Sequence, residues 1–307
     1  MSLGPVERLA LYFGSLRTRQ GLLARAALGA PAKSDAALAR ELAQEMTAEL
    51  RPDDTIGGAA VPTIWRAHEL MDLGSRPGDH GVARSIKWIV ERQDGPGAYG
   101  EGCDKVRHDH RVCEHWIGGF FAPASAERRL APITLPNGKV FRAEPAARFA
   151  ISALGLRAVL RAGLGDRPGV IRHLESLRVL AEQWTEWTGF FAPDVIVAGV
   201  HALALGGEEY RPTVETVVAT IASHQRVDGL WPNADLFHTL EALLATGLPA
   251  AQAAVRQAAP ALAERQRADG TFGAMAQQER ALIGLRALLW GESIGRAAPV
   301  FPGGGQV

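Results

Sequence analysis

Two thiols and three imidazoles crowd into one short stretch, Cys103-Asp-Lys-Val-Arg-His108-Asp-His110-Arg-Val-Cys113-Glu-His115, flanked by glycines. Thiolate sulfur and neutral imidazole nitrogen are the usual ligands of Zn2+. Four of the five would complete a tetrahedral site of Cys2His2 character, although their spacing matches no standard finger. Zinc is therefore the candidate cofactor; the alternative is a polar loop whose cysteines are buried and whose histidines only hydrogen-bond. Four aspartates form a second group: Asp53, Asp54, Asp194 and Asp235. Carboxylates converging on one opening can move protons or hold a metal. The competing readings are structural, since Asp194 and Asp235 stand before apolar stretches, where Asp caps free helix amides, and Asp53 and Asp54 stand where Asp holds a turn.

Such groups need a scaffold, and the sequence repeats one. The segment Gln225-Arg-Val-Asp-Gly229-Leu-Trp231 recurs 41 residues later as Gln266-Arg-Ala-Asp-Gly270-Thr-Phe272. Gln93-Asp-Gly-Pro-Gly97-Ala-Tyr99 keeps Gln, Gly and aromatic, and Thr185-Glu-Trp-Thr-Gly189-Phe-Phe191 keeps Gly and aromatic. Asp53 and Asp54 fall where the other copies carry Asp-Gly. Before each loop the sequence predicts a helix with a single apolar stripe, as in Val82, Ile86, Ile89 and Val90; after each loop it predicts a helix apolar on most sides, as in Leu236, Phe237, Leu240, Leu243 and Leu244.

Helical hairpins repeated at this period predict an all-α fold, an α/α toroid with two layers. Six inner helices are expected at 6–27, 58–73, 145–162, 195–205, 236–246 and 278–289. Five outer helices are expected at 35–50, 81–92, 170–184, 213–224 and 250–265. Gly74, Gly163, Gly206 and Gly247 stand where inner helices should end in a left-handed cap. Because every outer-to-inner loop runs the same way, the N-terminal ends of the inner helices should gather at one mouth, the default site. A single domain over 1–296 is expected, with a disordered tail at 297–307. An insertion at 94–143 should enter at the mouth and carry a hairpin, Ile133-Thr-Leu-Pro-Asn137-Gly138-Lys-Val-Phe141.

With 47% hydrophobic residues the 307-residue chain can bury a large core, and 33 basic against 33 acidic residues leave no electrostatic footprint for nucleic acid or an anionic membrane. No stretch has the length of a transmembrane helix and the N-terminus lacks a signal-peptide pattern, so the expected location is cytoplasmic.

The Gln…Gly…aromatic loops resemble the repeat of the terpenoid cyclase and protein prenyltransferase superfamily, whose members are double-layered helical toroids. The resemblance covers most of the chain and implies an isoprenoid or other apolar small molecule in a central cavity. Asp235-Leu-Phe-His238-Thr239-Leu-Glu resembles the segment in which prenyltransferase β subunits place a zinc-binding histidine. Gly189-Phe-Phe-Ala-Pro-Asp194-Val-Ile196 resembles their aspartate segment, with Ile196 in the place of a cysteine. The resemblance thus implies Asp194 and His238 as metal ligands, completed from Cys103, Cys113 or a histidine of the insertion, and a partner subunit. Pro52-Asp53-Asp54-Thr55 resembles the acidic motif with which class II terpene cyclases protonate an alkene, with Arg51 where that motif has a further Asp.

Trp65, Phe149, Trp231, Phe237 and Phe272 are candidates to line the cavity and stabilise a cation through their ring faces, or else to pack the core. Three functions follow: a terpenoid cyclase- or prenyltransferase-like enzyme, a metal-assisted hydrolase or carbohydrate-active toroid, and a binding protein that has lost the family chemistry.

Overall fold

The computed structural model describes residues 3–92, 130–187 and 193–293. Among these residues the chain forms twelve α-helices: α1 (Pro5–Gly14), α2 (Arg19–Ala27), α3 (Asp35–Ala48), α4 (Ala60–Asp72), α5 (His80–Val90), α6 (Glu144–Arg161), α7 (Pro168–Ala181), α8 (Asp194–Leu203), α9 (Arg211–Ser223), α10 (Leu236–Thr246), α11 (Pro249–Arg265) and α12 (Gln277–Glu292). The even-numbered helices form the inner layer, each packed on the next, and α12 packs on α2 to close the ring. The odd-numbered helices lie outside them.

Burial follows the two patterns of the sequence. On α8, every residue from Val195 to Leu203 is buried, as a helix surrounded by neighbours requires. On α7 the buried set is Val170, His173, Leu174, Leu177 and Ala181, a single stripe with the opposite face in water. Gly74, Gly163 and Gly247 have positive φ after α4, α6 and α10; after α8 the expected Gly206 does not, and Gly207 is extended, with φ of 95° and ψ of −176°.

The expected inner helix at 6–27 is two helices. It breaks at 15–18, where the Thr18 hydroxyl accepts from Gly21 N at 3.2 Å and starts α2. The turn is tight: a Cβ on Gly21 would lie 2.3 Å from the Leu16 carbonyl oxygen. The first piece, α1, packs on α2 and α12 and becomes a sixth outer helix. Apolar residues run through both pieces, so periodicity alone does not reveal the break.

The repeated loops share their hydrogen bonds. Gln225 Nε2 donates to the Gly229 carbonyl and, across the layer, to Ala254 O of α11, both at 2.9 Å. Gln266 Nε2 donates to Gly270 O and, 3.0 Å away, to Pro5 O of α1. The second copy therefore locks the last hairpin to the first helix. Asp228, Asp269 and Asp53 each accept the backbone N–H two residues on, at 3.0, 2.9 and 3.1 Å. The following residue has φ of 80° at Gly229, 87° at Gly270 and 64° at Asp54. The segment 50–56 is thus a further copy of the loop, with Asp in the glycine position.

Residues Ile133–Thr134 (β1) and Val140–Phe141 (β2) pair antiparallel, Ile133 opposite Phe141, as the hairpin expectation has it. Only Gly138 of the Asn137-Gly138 pair has positive φ, and Gly138 N donates to Leu135 O, so the turn is a three-residue loop closed by a left-handed glycine. The rest of the insertion, with Cys103, His108, His110, Cys113 and His115, lies outside the described residues, as do the loop at Gln93–Tyr99 and the tail at 297–307. No described helix is long and apolar enough to cross a membrane.

Candidate functional site

The first residues of α8, α10 and α12 meet the hairpin at one end of the ring. Asp235 caps α10, its Oδ1 accepting from His238 N at 3.0 Å, while its Oδ2 takes Arg280 Nη2 of α12 at 3.0 Å. Arg280 also donates to the Asn137 carbonyl at 2.9 Å, and its guanidinium lies 5.0 Å from the Phe237 ring centre. Lys139 of the hairpin places its ammonium 2.6 Å from Asp194 Oδ1. Asp194, Asp235 and His238 are therefore brought together, as their repeat positions predict, and the hairpin is what links them.

The hairpin does more than touch the rim. Asn137 is buried, and its amide donates to Glu241 Oε2 at 2.7 Å, one turn further into the ring than His238. The same amide nitrogen lies 3.2 Å from His238 Nδ1. Phe141 is also buried and meets the His238 ring edge-on at 5.8 Å.

This contact decides the tautomer. An amide N–H facing Nδ1 makes that nitrogen the acceptor and puts the proton of the neutral ring on Nε2. Neutrality itself follows from burial, which pulls the His238 pKa down to about 3 against the opposing charge of Asp235. Nε2 is buried, and a hydrogen bond from the ring to the Asp194 backbone carbonyl opposes part of the fall in pKa.

Zinc fits these residues poorly. A metal would need the nitrogen that bears the proton, and the Asp194 carboxylate is already engaged by Lys139. Among the described residues no group of three or more His, Cys, Asp or Glu side chains could hold a metal ion. Burial raises the Asp194 pKa, with the nearby Asp235 charge adding to the rise and Lys139 opposing it.

Asp53 differs. Its carboxylate accepts from Thr55 N and Thr55 Oγ1, which hold its pKa below the usual carboxylate range. Asp54 is paired with Arg84 of α5. Both residues serve their loop.

The ring interior holds residues that the apolar pattern hides. Arg19 of α2 is buried and bonded to Asp72 of α4 and Glu279 of α12. Asp72 also takes Arg161 of α6 at 2.7 Å, and Arg161 faces His68 Nδ1 at 3.1 Å. Arg157 of α6 meets Glu241 of α10 at 3.0 Å. His201 of α8 completes the set, buried, with its pKa well below the ordinary imidazole value. The resemblance implied an apolar lining; these inner helices are instead tied by ion pairs. The sequence signal was present as charges on helices that are apolar on most sides, notably Arg157, Arg161 and Glu241.

Of the five candidate cavity aromatics, Trp65 lines an open pocket at the mouth. Phe237 packs on Phe272 at 5.2 Å beneath Arg280. Phe272 covers Gly284 of α12, where a Cβ would lie 2.6 Å from its ring. Phe149 meets Trp184 edge-on at 6.4 Å, and Trp231 donates its indole N–H to Ile221 O at 2.9 Å. Those last two close the space between layers.

No protein-family model matches the sequence, and no curated protein is similar to it in sequence. Solved structures are similar in fold. A single-substitution variant of the type II terpene cyclase MstE from Scytonema, in complex with its substrate geranylgeranyl dihydroxybenzoate, matches with a TM-score of 0.53 at 15% identity, over 92% of this chain and 86% of that one. MstE without ligand gives 0.48 at 18% identity, over 88% and 71%. The ring formed by the twelve described helices thus shares the all-α toroid fold of the substrate-bound cyclase variant.

Proposed function

We propose that this protein is terpenoid cyclase-like, receives an isoprenoid or similarly apolar chain at the mouth of the ring, and uses Asp194 as a proton donor. The observation that carries the reading is the fold shared with a cyclase whose ligand bears a geranylgeranyl chain. Asp194 suits the acid role better than Asp53, because burial and Asp235 raise its pKa whereas Thr55 lowers that of Asp53. In the proposed step the Asp194 O–H proton passes to a terminal alkene carbon, the π electrons form the new C–H bond, and the cation left on the neighbouring carbon is attacked by the next alkene. A proton lost from the last cation returns to solvent and the Asp194 carboxylate takes one back from solvent, so the product has the mass of the substrate and the acid is restored. Lys139 must release the carboxylate for Asp194 to be protonated, which ties the reaction to the position of the hairpin.

Zinc enters the proposal only through Cys103, His108, His110, Cys113 and His115. Metal analysis of protein purified without added zinc, with and without His238→Ala, tests it: equal zinc in both samples would assign the ion to the insertion alone. A partner subunit belongs to the prenyltransferase form of the reading and would appear as a larger species by light scattering.

The decisive experiment incubates the chain with farnesyl acetate and geranylgeranyl acetate and looks for products of unchanged mass by gas chromatography and mass spectrometry. Asp194→Asn should reduce product at least about 100-fold, the low end for removal of a general acid, and Asp53→Asn should leave it unchanged. A folded protein that neither binds nor converts either ester would sink the proposal.

A further inference from the structure

We infer that the hairpin at 133–141 is a plug: its tip closes the mouth over Asp194, Glu241 and His238, and it must withdraw before a ligand reaches them. The hairpin is buried tip first. Turns normally lie in water, which satisfies their free backbone groups. Here the turn is the buried end, with Leu135 5% and Asn137 2% exposed and Gly138 buried, whereas Pro132, Thr134, Arg142 and Ala143 at the open end are exposed. The tip also fits closely, since a Cβ on Gly138 would lie 3.2 Å from the Ala276 Cβ and from the Arg280 guanidinium at the start of α12.

Most of the contacts that hold the tip are polar. Asn137 Oδ1 accepts Lys139 N at 3.0 Å, and its Nδ2 faces Glu241 and His238. Lys139 meets Asp194, and Arg280 donates to the Asn137 carbonyl. Leu135 is the apolar side chain that the turn buries. Polar contacts are exchanged for water at little net cost, whereas a wholly apolar tip could not lift without exposing its surface. Glu241 would keep Arg157, and Arg280 would keep Asp235. Withdrawal therefore strands neither arginine; it frees the Asp194 carboxylate and opens His238 Nδ1 to water.

The root is fixed. The Glu144 carboxylate, on the first residue of α6, accepts Leu130 N at 2.9 Å and Ala131 N at 2.7 Å and meets Arg148 Nε at 2.8 Å. Because β1 begins just after Ala131 and β2 ends at Phe141, just before α6, this carboxylate clips the two ends of the hairpin together. An element tied at its root and latched at its tip by polar bonds is built to swing.

The plug stands on these contacts alone. Its part in the reaction rests on the proposed function, in which Lys139 leaves Asp194 before the carboxyl carries a proton. A fixed strut would share the same contacts but would open only when the ring itself unfolds, whereas a plug opens locally.

Thiol labelling of the full chain tells the two apart. Leu135→Cys places a thiol in the tip, and Val217→Cys places one on α9, where Val217 is 1% exposed. Iodoacetamide labelling with peptide mapping separates both from Cys103 and Cys113, and the rate at a buried thiol tracks the population of the open form. Adding Lys139→Met should speed labelling of the tip thiol about tenfold, the equivalent of one lost bond to a charged group, and leave the α9 thiol unchanged. An unchanged tip rate, or equal acceleration at both thiols, overturns the plug. A second variant locks it and decides the matter if Lys139→Met does not fold. Gly138→Cys with Ala276→Cys starts from a Cβ spacing of 3.2 Å, just short of the roughly 3.5–4.5 Å of a disulfide. Relative to the parent chain treated alike, the oxidised form should bind farnesyl acetate at least about tenfold more weakly than the reduced form, because its open state is lost. Equal binding in the two forms overturns the plug. If farnesyl acetate binds neither the parent chain nor the reduced variant, the cyclase reading fails and the labelling rates still decide the plug.

Discussion

The loops after α9 and α11 repeat one set of hydrogen bonds, whereas the polar residues inside the ring differ at every inner helix. Gln225 and Gln266 make the same pair of bonds, one within the loop and one to the next outer helix. Inside, α2 contributes Arg19, α4 His68 and Asp72, α6 Arg157 and Arg161, α8 His201, α10 His238 and Glu241, and α12 Glu279. A repeat has to satisfy only its neighbours, so the same solution serves each time. A closed interior must balance its charges as a whole, and each helix supplies a different share.

The largest expected effect therefore lies inside. Asp72 neutralises Arg19 and Arg161 together, and its side chain is only 8% exposed. Asp72→Ala would leave Arg161 beside the neutral His68 and leave Arg19 to Glu279 and Glu69. Stability should fall by about 3–5 kcal/mol, the usual cost of breaking a buried ion pair from one side. Urea unfolding measures it. A loss below about 1 kcal/mol would place Asp72 with exposed pairs such as Arg17–Glu41 and dissolve the contrast between ring and surface.

A smaller effect is expected in the loops, and it sharpens the comparison. Gly229 has φ of 80°, and a Cβ there would lie 2.4 Å from the Gln257 carbonyl oxygen of α11. Gly229→Ala combines backbone strain with that clash and should cost about 1–3 kcal/mol, read as a lowered midpoint in thermal unfolding. Asp54 occupies the same loop position at φ 64° with its carboxylate on Arg84, so its neighbourhood already accommodates a Cβ. Asp54→Gly should relieve the strain while losing that pair, and a large loss there would show that the loops are not equivalent.

What could be read from the sequence follows the same division. The ring, its inner and outer layers, the hairpin and the meeting of Asp194, Asp235 and His238 were legible because they rest on repetition and on the periodicity of apolar residues. Residues 6–27 were not resolved into α1 and α2, since the break depends on a Thr18 cap and a tight turn at Gly21 rather than on a change of pattern. Lys139, Arg280, Asn137 and Glu241 were invisible as site residues because the hairpin is joined to α8, α10 and α12 only in three dimensions. Asp53 was readable both ways; its bonds to Thr55 match those of Asp269 to Thr271 and give it the turn-holding role.

The interior also sets how stability responds to pH, and this is the subtlest of the expected effects. His68, His201 and His238 all have pKa values lowered by burial, that of His238 to about 3. A lowered value in the folded state means that the unfolded chain binds more protons over the intervening range. Stability is then full above the unfolded histidine value of about 6.5 and falls as the pH drops toward the folded values, by up to about 1.4 kcal/mol per pH unit for each imidazole. Asp194 acts in the opposite sense, because its raised pKa adds stability on the acid side of the carboxylate range, and it cannot cancel a slope that begins near neutrality. Urea midpoints between pH 7 and 5 should therefore decline steeply and change little with salt, since the groups are buried. His238→Gln should remove one imidazole's share of that slope while the two others keep the rest. An unchanged slope in this variant would mean that His238 is protonated as readily in the folded ring as in the open chain, and that Asn137 does not seal it from water.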